Sequence, residues 1–160
     1  MSFKIGIGYD VHRLVKGRKL MLGGIEVPFS HGLDGHSDAD VVLHAICDAI
    51  LGAAGFGDIG EHFPNTDVKY KNISSSLLLK EVNQKINDDG YKVVNVDAVI
   101  LAEEPKLLDY KRKMRFHIAY ELAIDESQVN IKATTNEGLG FIGNKQGIAC
   151  YATVLIDKKS

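Results

Sequence analysis

The sequence predicts an α+β fold, a β-sheet with helices packed on one face. Three observations predict it. Alternating segments open and close the chain as strands, at Phe3–His12 and Ile148–Asp157. A nearly all-apolar stretch from Asp40 to Ala54 has no proline and reads as a buried helix. The elements follow the order β-β-α-α-β-α-β-β, which fits helices gathered on one side of a sheet. At 160 residues the chain fits a single domain over residues 1–160.

In the first strand Phe3, Ile5, Ile7 and Tyr9 alternate with Lys4, Gly6, Gly8 and Asp10. Leu20–Pro28, with Gly23-Gly24 inside, reads as a short hairpin. His31–Asp40 is a polar loop, and Asp38 is the expected N-cap of the apolar helix. Gly55–Asn72 is loop. Ser74–Asp89 is a second helix, capped by serine and stopped at Gly90. Tyr91–Ala102 is a strand with Val94, Val96, Ala98 and Ile100 on one face. Leu107–Ala123 is a third helix whose basic residues Lys111, Arg112, Lys113 and Arg115 form a solvated face. Gln128–Thr135 is a strand, Asn136–Gly147 a glycine-rich turn region and Ile148–Asp157 the last strand. The strands carry apolar residues on both faces. A domain of this size cannot cover both, so self-association through the sheet is expected.

A hydrophobic share of 45% and a charged share of 25% exclude a disordered chain. Nineteen Lys and Arg against 21 Asp and Glu lack the basic excess of a nucleic-acid binder. No apolar run reaches the roughly 18 residues of a membrane span. Cys47 and Cys150, each in an apolar run, read as buried free thiols of a reducing compartment. The start Met-Ser-Phe-Lys-Ile-Gly lacks a charged region followed by an apolar core. The expected location is therefore the cytoplasm, or an organelle stroma if a presequence was removed.

Asp40, His44 and Asp48 interrupt the apolar helix at i, i+4 and i+8, on one stripe. Buried polar groups need partners, so the stripe faces a polar network, a ligand or a metal. Asp10 and His12 share one face of the first strand. With His44 they make a carboxylate and two imidazoles, a three-ligand set with an open fourth position. That is the catalytic form of a zinc site, although iron or manganese accept the same ligands. Near the other end, Lys132-Ala-Thr-Thr-Asn-Glu-Gly-Leu-Gly-Phe offers hydroxyls, approachable backbone N–H groups and the hard oxygen of Glu137. This suits phosphate oxygens with Mg²⁺. No nucleophile with an adjacent base is evident.

These segments together resemble one family, the 2-C-methyl-D-erythritol 2,4-cyclodiphosphate synthases. The matching stretches are Gly8-Tyr-Asp-Val-His12, His36-Ser-Asp-Ala-Asp-Val-Val-Leu-His44, Asp48-Ala-Ile-Leu-Gly-Ala-Ala, Gly57-Asp-Ile-Gly60, Phe63-Pro-Asn-Thr-Asp67, Pro105-Lys106, Lys132-Ala-Thr-Thr-Asn-Glu137 and Leu139-Gly-Phe141. The resemblance implies conversion of 4-diphosphocytidyl-2-C-methyl-D-erythritol 2-phosphate to a cyclic diphosphate and CMP. It implies a homotrimer whose sheets line a central cavity, with active sites at the subunit interfaces. It assigns Zn²⁺, one per subunit, to Asp10, His12 and His44, and a second ion, Mg²⁺ or Mn²⁺, to Glu137. His36 and Thr135 fall on transition-state positions. Ser37, Asp58, Gly60, Phe63, Asp67, Phe141 and Asn144 fall on substrate-contact positions. The stretch from Ala102 to Leu108, with Pro105, Lys106 and Leu107 inside it, and Thr134 fall on the cytidine nucleotide pocket. The chain has Asn65 where the family commonly has Asp, and Asn144 where it commonly has Arg near the threefold cavity. The same ligands also suit a zinc phosphohydrolase, and the fold a non-catalytic trimeric binding module.

Overall fold

Glycine, not a large apolar side chain, sits where the first strand meets the first long helix. The computed structural model describes residues 2–64, 66–70 and 72–159, so Asn65 lies outside the described residues. The strands are β1 (Lys4–Lys16), β2 (Leu20–Leu22), β3 (Ile25–Val27), β4 (His31–Leu33), β5 (Tyr91–Leu101), β6 (Val129–Thr134) and β7 (Gly147–Lys158). The helices are α1 (Val41–Ala54), α2 (Ile59–His62), α3 (Ser75–Asp88), α4 (Lys111–Leu122) and α5 (Gly140–Gly143). Five strands form one mixed sheet in the order β4-β1-β7-β5-β6, in which only β5 and β6 run parallel. The β2–β3 hairpin stands apart, turning at Gly23 and Gly24, both with positive φ.

The helices cover one face of this sheet, and α1 packs on β1 and β7. A Cβ placed on Gly6 would collide with the Ala49 carbonyl oxygen of α1, and one on Gly8 with that of Ala45. The glycines therefore let the helix backbone lie directly on the strand. They put the face of β1 that also bears Asp10 and His12 toward α1. The apolar set points the other way. Ile5 and Ile7 are each 70% exposed, and Tyr9, Val11 and Tyr151 of β7 are also open to solvent. Tyr9 and Tyr151 stack across the β1–β7 pair with ring centroids 4.6 Å apart.

Several sequence expectations need correction. The cap of α1 is Asp40, whose carboxylate accepts the backbone N–H groups of Val42 and Leu43. Asp38, the expected cap, turns instead to the start of α3, where it takes the Ser75 N–H at 3.0 Å. β1 continues to Lys16 because its end pairs with β4, in a segment expected to be loop. A bulge between Val93 and Asn95 in β5 puts Val93 inside with Val96, Ala98 and Ile100, in place of Val94. A 3₁₀ turn at Leu108–Tyr110 delays α4 to Lys111. Its basic residues are not one solvated face either. Arg112 and Lys113 are exposed, but the Arg115 guanidinium donates to the carbonyls of Val129 and Glu126. Asn136–Gly147 contains the short helix α5.

The core lies between sheet and helices. Val42, Leu43, Ile46, Ile50 and Leu51 of α1 meet Ile148, Val154 and Ile156 of β7 and Leu79, Val82 and Ile86 of α3, all fully buried. Cys47 and Cys150 are buried free thiols, and burial pushes both thiols up from the ordinary range. Among the described residues no helix is long and apolar enough to cross a membrane.

Gly8→Ala forces its methyl into the α1 backbone, which cannot yield as a side-chain end could. The expected loss is about 3 kcal/mol of stability, the upper end for overpacking. Urea unfolding checks this. A change under about 0.5 kcal/mol would mean that α1 is free to move off the strand.

Candidate metal centre and its neighbouring cavities

The β1–α1 contact sets His44 opposite Asp10 and His12. Asp10 Oδ2 lies 2.9 Å from His12 Nε2 and 3.0 Å from His44 Nδ1, and the two ring nitrogens are 3.3 Å apart. The three atoms form a near-equilateral triangle. A tetrahedral ion with bonds of about 2.0–2.1 Å has ligand–ligand edges of about 3.3 Å, so they fit one face of such a shell. Among the described residues, Asp10, His12 and His44 are the group able to hold a metal ion. Their side chains are 24%, 20% and 13% exposed, which leaves a side open for a further ligand.

The electrostatics favour a cation there. Burial pushes the Asp10 carboxyl up, but hydrogen bonds and charge from His12 and His44 outweigh it and hold it below the ordinary carboxylate range. Burial alone would pull His44 down, yet Asp10, helped by Asp40 and Asp38, raises it. The negative field of Asp10, Asp38 and Asp40 that raises His44 also favours a metal cation here, which competes with the proton for the imidazole.

The other two members of the polar stripe serve the scaffold. Asp40 is fully buried. Besides capping α1 it accepts the N–H groups of Gly23 at 2.9 Å and Gly24 at 2.6 Å, which ties the β2–β3 turn to the helix. Burial raises its pKa, against the lowering pull of the Gly24, Leu43 and Gly23 N–H groups. Asp48 accepts the Ile59 N–H at 2.7 Å and so anchors α2.

A cavity of about 270 Å³ opens beside the triad. His12, His36, Ser37 and His44 line its polar side, and Ile59, Phe63, Tyr70, Ile73 and Leu78 its apolar side. Phe63 is held edge-on by Tyr70 at 5.3 Å between centroids. Asp58 caps α2 through the Glu61 N–H, and Gly60 lies in that helix. Asp67 is not in the lining. Its carbonyl accepts from His36 Nε2 at 3.3 Å, and its carboxylate accepts the Lys69 N–H.

A second cavity, of about 300 Å³, is lined by Ala102, Pro105, Lys106, Leu107, Leu108, Thr134 and Thr135, all singled out in the sequence. It also gathers Glu103, Lys111 and Ala133. Lys111 was expected on a solvated face. The turn at Leu108–Tyr110 that delays α4 leaves it at the cavity instead. Glu103 lies inside the stretch that the resemblance assigns to the nucleotide pocket, but no chemistry of its own marked it. Its carboxylate accepts the N–H groups of Asn136 and Gly138, bracketing Glu137, which is exposed at φ 52°. Phe141 and Asn144 are exposed in and just after α5.

The two cavities share no residue. Asp10, Cys150, Ile100 and Ala133 lie on one cross-strand line through β1, β7, β5 and β6. Three strand spacings separate its ends, about 14 Å. Within one chain, Thr135 and Glu137 therefore stand apart from the triad and from His36.

Fold and site together define a small α+β domain with a carboxylate–imidazole centre suited to a divalent metal. Comparison with known proteins narrows this. A profile of the YgbB family matches residues 3–157, and the chain belongs to that family. It is 57% identical over 155 residues to the 2-C-methyl-D-erythritol 2,4-cyclodiphosphate synthase of Syntrophomonas wolfei, covering 97% of this chain and 99% of the relative. The synthase of Clostridium novyi is 58% identical over 156 residues, covering 98% and 99%. Among solved structures, the bifunctional IspDF from Campylobacter jejuni superposes with a TM-score of 0.95 at 45% identity. That match covers 98% of this chain, which spans only 42% of the bifunctional protein. The IspF of Plasmodium falciparum in complex with CDP superposes at 0.87 with 35% identity, covering 99% of this chain and 98% of that one.

His44→Ala removes a third of the triad and leaves a small cavity at a site already open. The expected protein is folded but fails to retain zinc through gel filtration, where the parent retains it. Circular dichroism and metal analysis by mass spectrometry check both points. Stoichiometric zinc in the folded variant would contradict the triad.

Proposed function

We propose that this chain, acting as a single domain over residues 1–160, is a 2-C-methyl-D-erythritol 2,4-cyclodiphosphate synthase of non-mevalonate isoprenoid precursor biosynthesis. The observation that carries the reading is the metal triad at the mouth of a half-apolar cavity, in a chain 57% identical over nearly its full length to a synthase. In the reaction an oxygen of the substrate's 2-phosphate forms a bond to the β-phosphorus. The bond from the β-phosphorus to the bridging oxygen breaks, and CMP leaves. The substrate carries its own nucleophile, so the site has to supply charge and orientation rather than a covalent catalyst.

The difficulty is electrostatic. Two phosphates must close to about 3.5 Å, where each pair of unit charges repels by roughly 5 kcal/mol at an effective dielectric of 20. Zn²⁺ on Asp10, His12 and His44, with Mg²⁺ or Mn²⁺ on Glu137, would supply the positive charge that offsets this repulsion. The residues do the rest. Ile59, Phe63, Ile73 and Leu78 hold the methylerythritol carbons and exclude water. Asp58, Gly60 and Asp67 shape the loop around it. His36 and Thr135 donate hydrogen bonds to phosphate oxygens as charge develops on them. Ser37 and the apolar stem of Lys106 position the two ends of the substrate. The cytidine end takes the second cavity, where Lys106 and Lys111 face the diphosphate and Ala102, Pro105, Leu107, Leu108 and Thr134 enclose the base. Phe141 and Asn144 complete the substrate contacts.

The separation of about 14 Å across the sheet supports an assembly in which one subunit's triad meets its neighbour's nucleotide cavity. The exposed Ile5, Ile7, Tyr9, Val11 and Tyr151 supply an apolar sheet face for a homotrimer around a central cavity.

The direct test is mass spectrometry of the products from 4-diphosphocytidyl-2-C-methyl-D-erythritol 2-phosphate. The cyclic diphosphate and CMP are expected. Release of inorganic phosphate would favour a phosphohydrolase instead.

A mixing experiment checks the shared interface. His12→Ala and Thr135→Ala chains are each expected to be inactive. Every mixed cyclic trimer has one contact with both halves intact, and random assembly makes about three quarters of trimers mixed. Co-refolding equal amounts should therefore restore roughly a quarter of parental activity. No activity in verified mixed trimers would mean that each site is built within one chain.

A further inference from the structure

Behind His44, on the side away from the triad, the protein has built a second polar contact. Ser75, the first residue of α3, is fully buried, and its Oγ lies 2.9 Å from His44 Nε2. The same hydroxyl meets the Asp38 carboxylate, whose second oxygen takes the Ser75 backbone N–H at 3.0 Å. Asp38 is itself fixed, its backbone N–H donating to the Ile73 carbonyl and its side chain accepting the Asp40 N–H. A carboxylate only accepts, so the single proton of Ser75 Oγ goes to Asp38. That leaves Ser75 Oγ only lone pairs to turn toward His44, so Nε2 must carry the proton. Nδ1 is then the nitrogen left to bind, and it is the one aimed at Asp10 and His12. Ser37 Oγ also approaches Nε2, but from 3.2 Å, and it accepts the Ala39 N–H.

We infer that Ser75 and Asp38 are positioning residues for the metal centre: the chain Asp38–Ser75–His44 locks the imidazole in its Nε2–H tautomer and fixes its ring orientation. This inference rests on the metal reading of the triad. It also explains why Asp38 abandons the cap of α1 and why the first turn of α3 packs against this part of α1. Partners behind a metal-bound imidazole change metal affinity by about 10–100-fold when removed.

The experiment uses the full chain with Zn²⁺ as probe. Zinc affinity is measured against a chromophoric chelator. The tautomer is read from the long-range ¹H–¹⁵N spectrum of the histidine rings in zinc-loaded parent protein. The parent is expected to show His44 protonated at Nε2 and metal-bound at Nδ1. Ser75→Ala should weaken zinc by about 10–100-fold while circular dichroism stays unchanged, and Ser75→Thr, which keeps the hydroxyl, should recover most of it. Asp38→Asn preserves size and should weaken zinc by about tenfold, and it serves as the variant should Ser75→Ala not fold. A parent His44 unprotonated at Nε2 would overturn the inference. So would folded Ser75→Ala or Asp38→Asn protein with affinity within about twofold of the parent. If the parent takes up no zinc at all, the metal assignment falls, and the inference falls with it.

Discussion

The contact between the α1 backbone and the glycine face of β1 is the constraint on which the site depends. A strand and a helix normally meet through two layers of side chains. Here Gly6 and Gly8 remove one layer, so α1 lies close enough for His44 to reach across to Asp10 and His12. All three members of the triad then come from regular structure, which holds a constellation more tightly than loops do. The core residues of α1 on its other sides, including Ile46, Ile50 and Leu51, keep the helix seated.

Around this contact, carboxylates are used as rivets rather than as surface charge. Asp40 gathers four backbone N–H groups from two segments, Asp38 ties the polar loop to α3, and Asp48 ties α1 to α2. Each satisfies donors that burial would otherwise leave unpaired, at a cost of about 1–3 kcal/mol apiece. The loops bordering the first cavity are thereby held from several sides, although they contain little regular structure.

Much of this was legible in the sequence, because spacing and turn chemistry are local. The i+4 stripe on α1 and the Asp-x-His of β1 announced the cluster of Asp10, His12 and His44, and Gly23-Gly24 and Gly90 marked turns that the structure has. The hidden parts depended on tertiary contact. Asp38 and Asp40 are equally good caps two residues apart, and only the position of α3 decides between them. The tie of Ser75 to His44 spans 31 residues and leaves no periodic trace. The bulge at Val93/Asn95 shifts an otherwise regular alternation. Glu103 acts on a loop more than 30 residues away and looks like any surface glutamate in sequence. The residues of the second cavity were singled out through resemblance alone, since a lining of alanine, leucine, lysine and threonine has no chemical signature of its own.

β1 writes two messages on one ribbon. Its even positions carry Gly6, Gly8, Asp10 and His12 toward α1, and its odd positions carry the apolar row Ile5, Ile7, Tyr9 and Val11 outward. A strand has period two, so a slip of one residue against β7 exchanges the two sets at once. Tyr9 and Val11 would then stand where the triad has Asp10 and His12, and side chains would be driven into the helix backbone that tolerates only glycine. Triad and outer face are thus phase-locked: a single choice of pairing register makes both or neither, and an insertion or deletion within the strand cannot tune one while sparing the other.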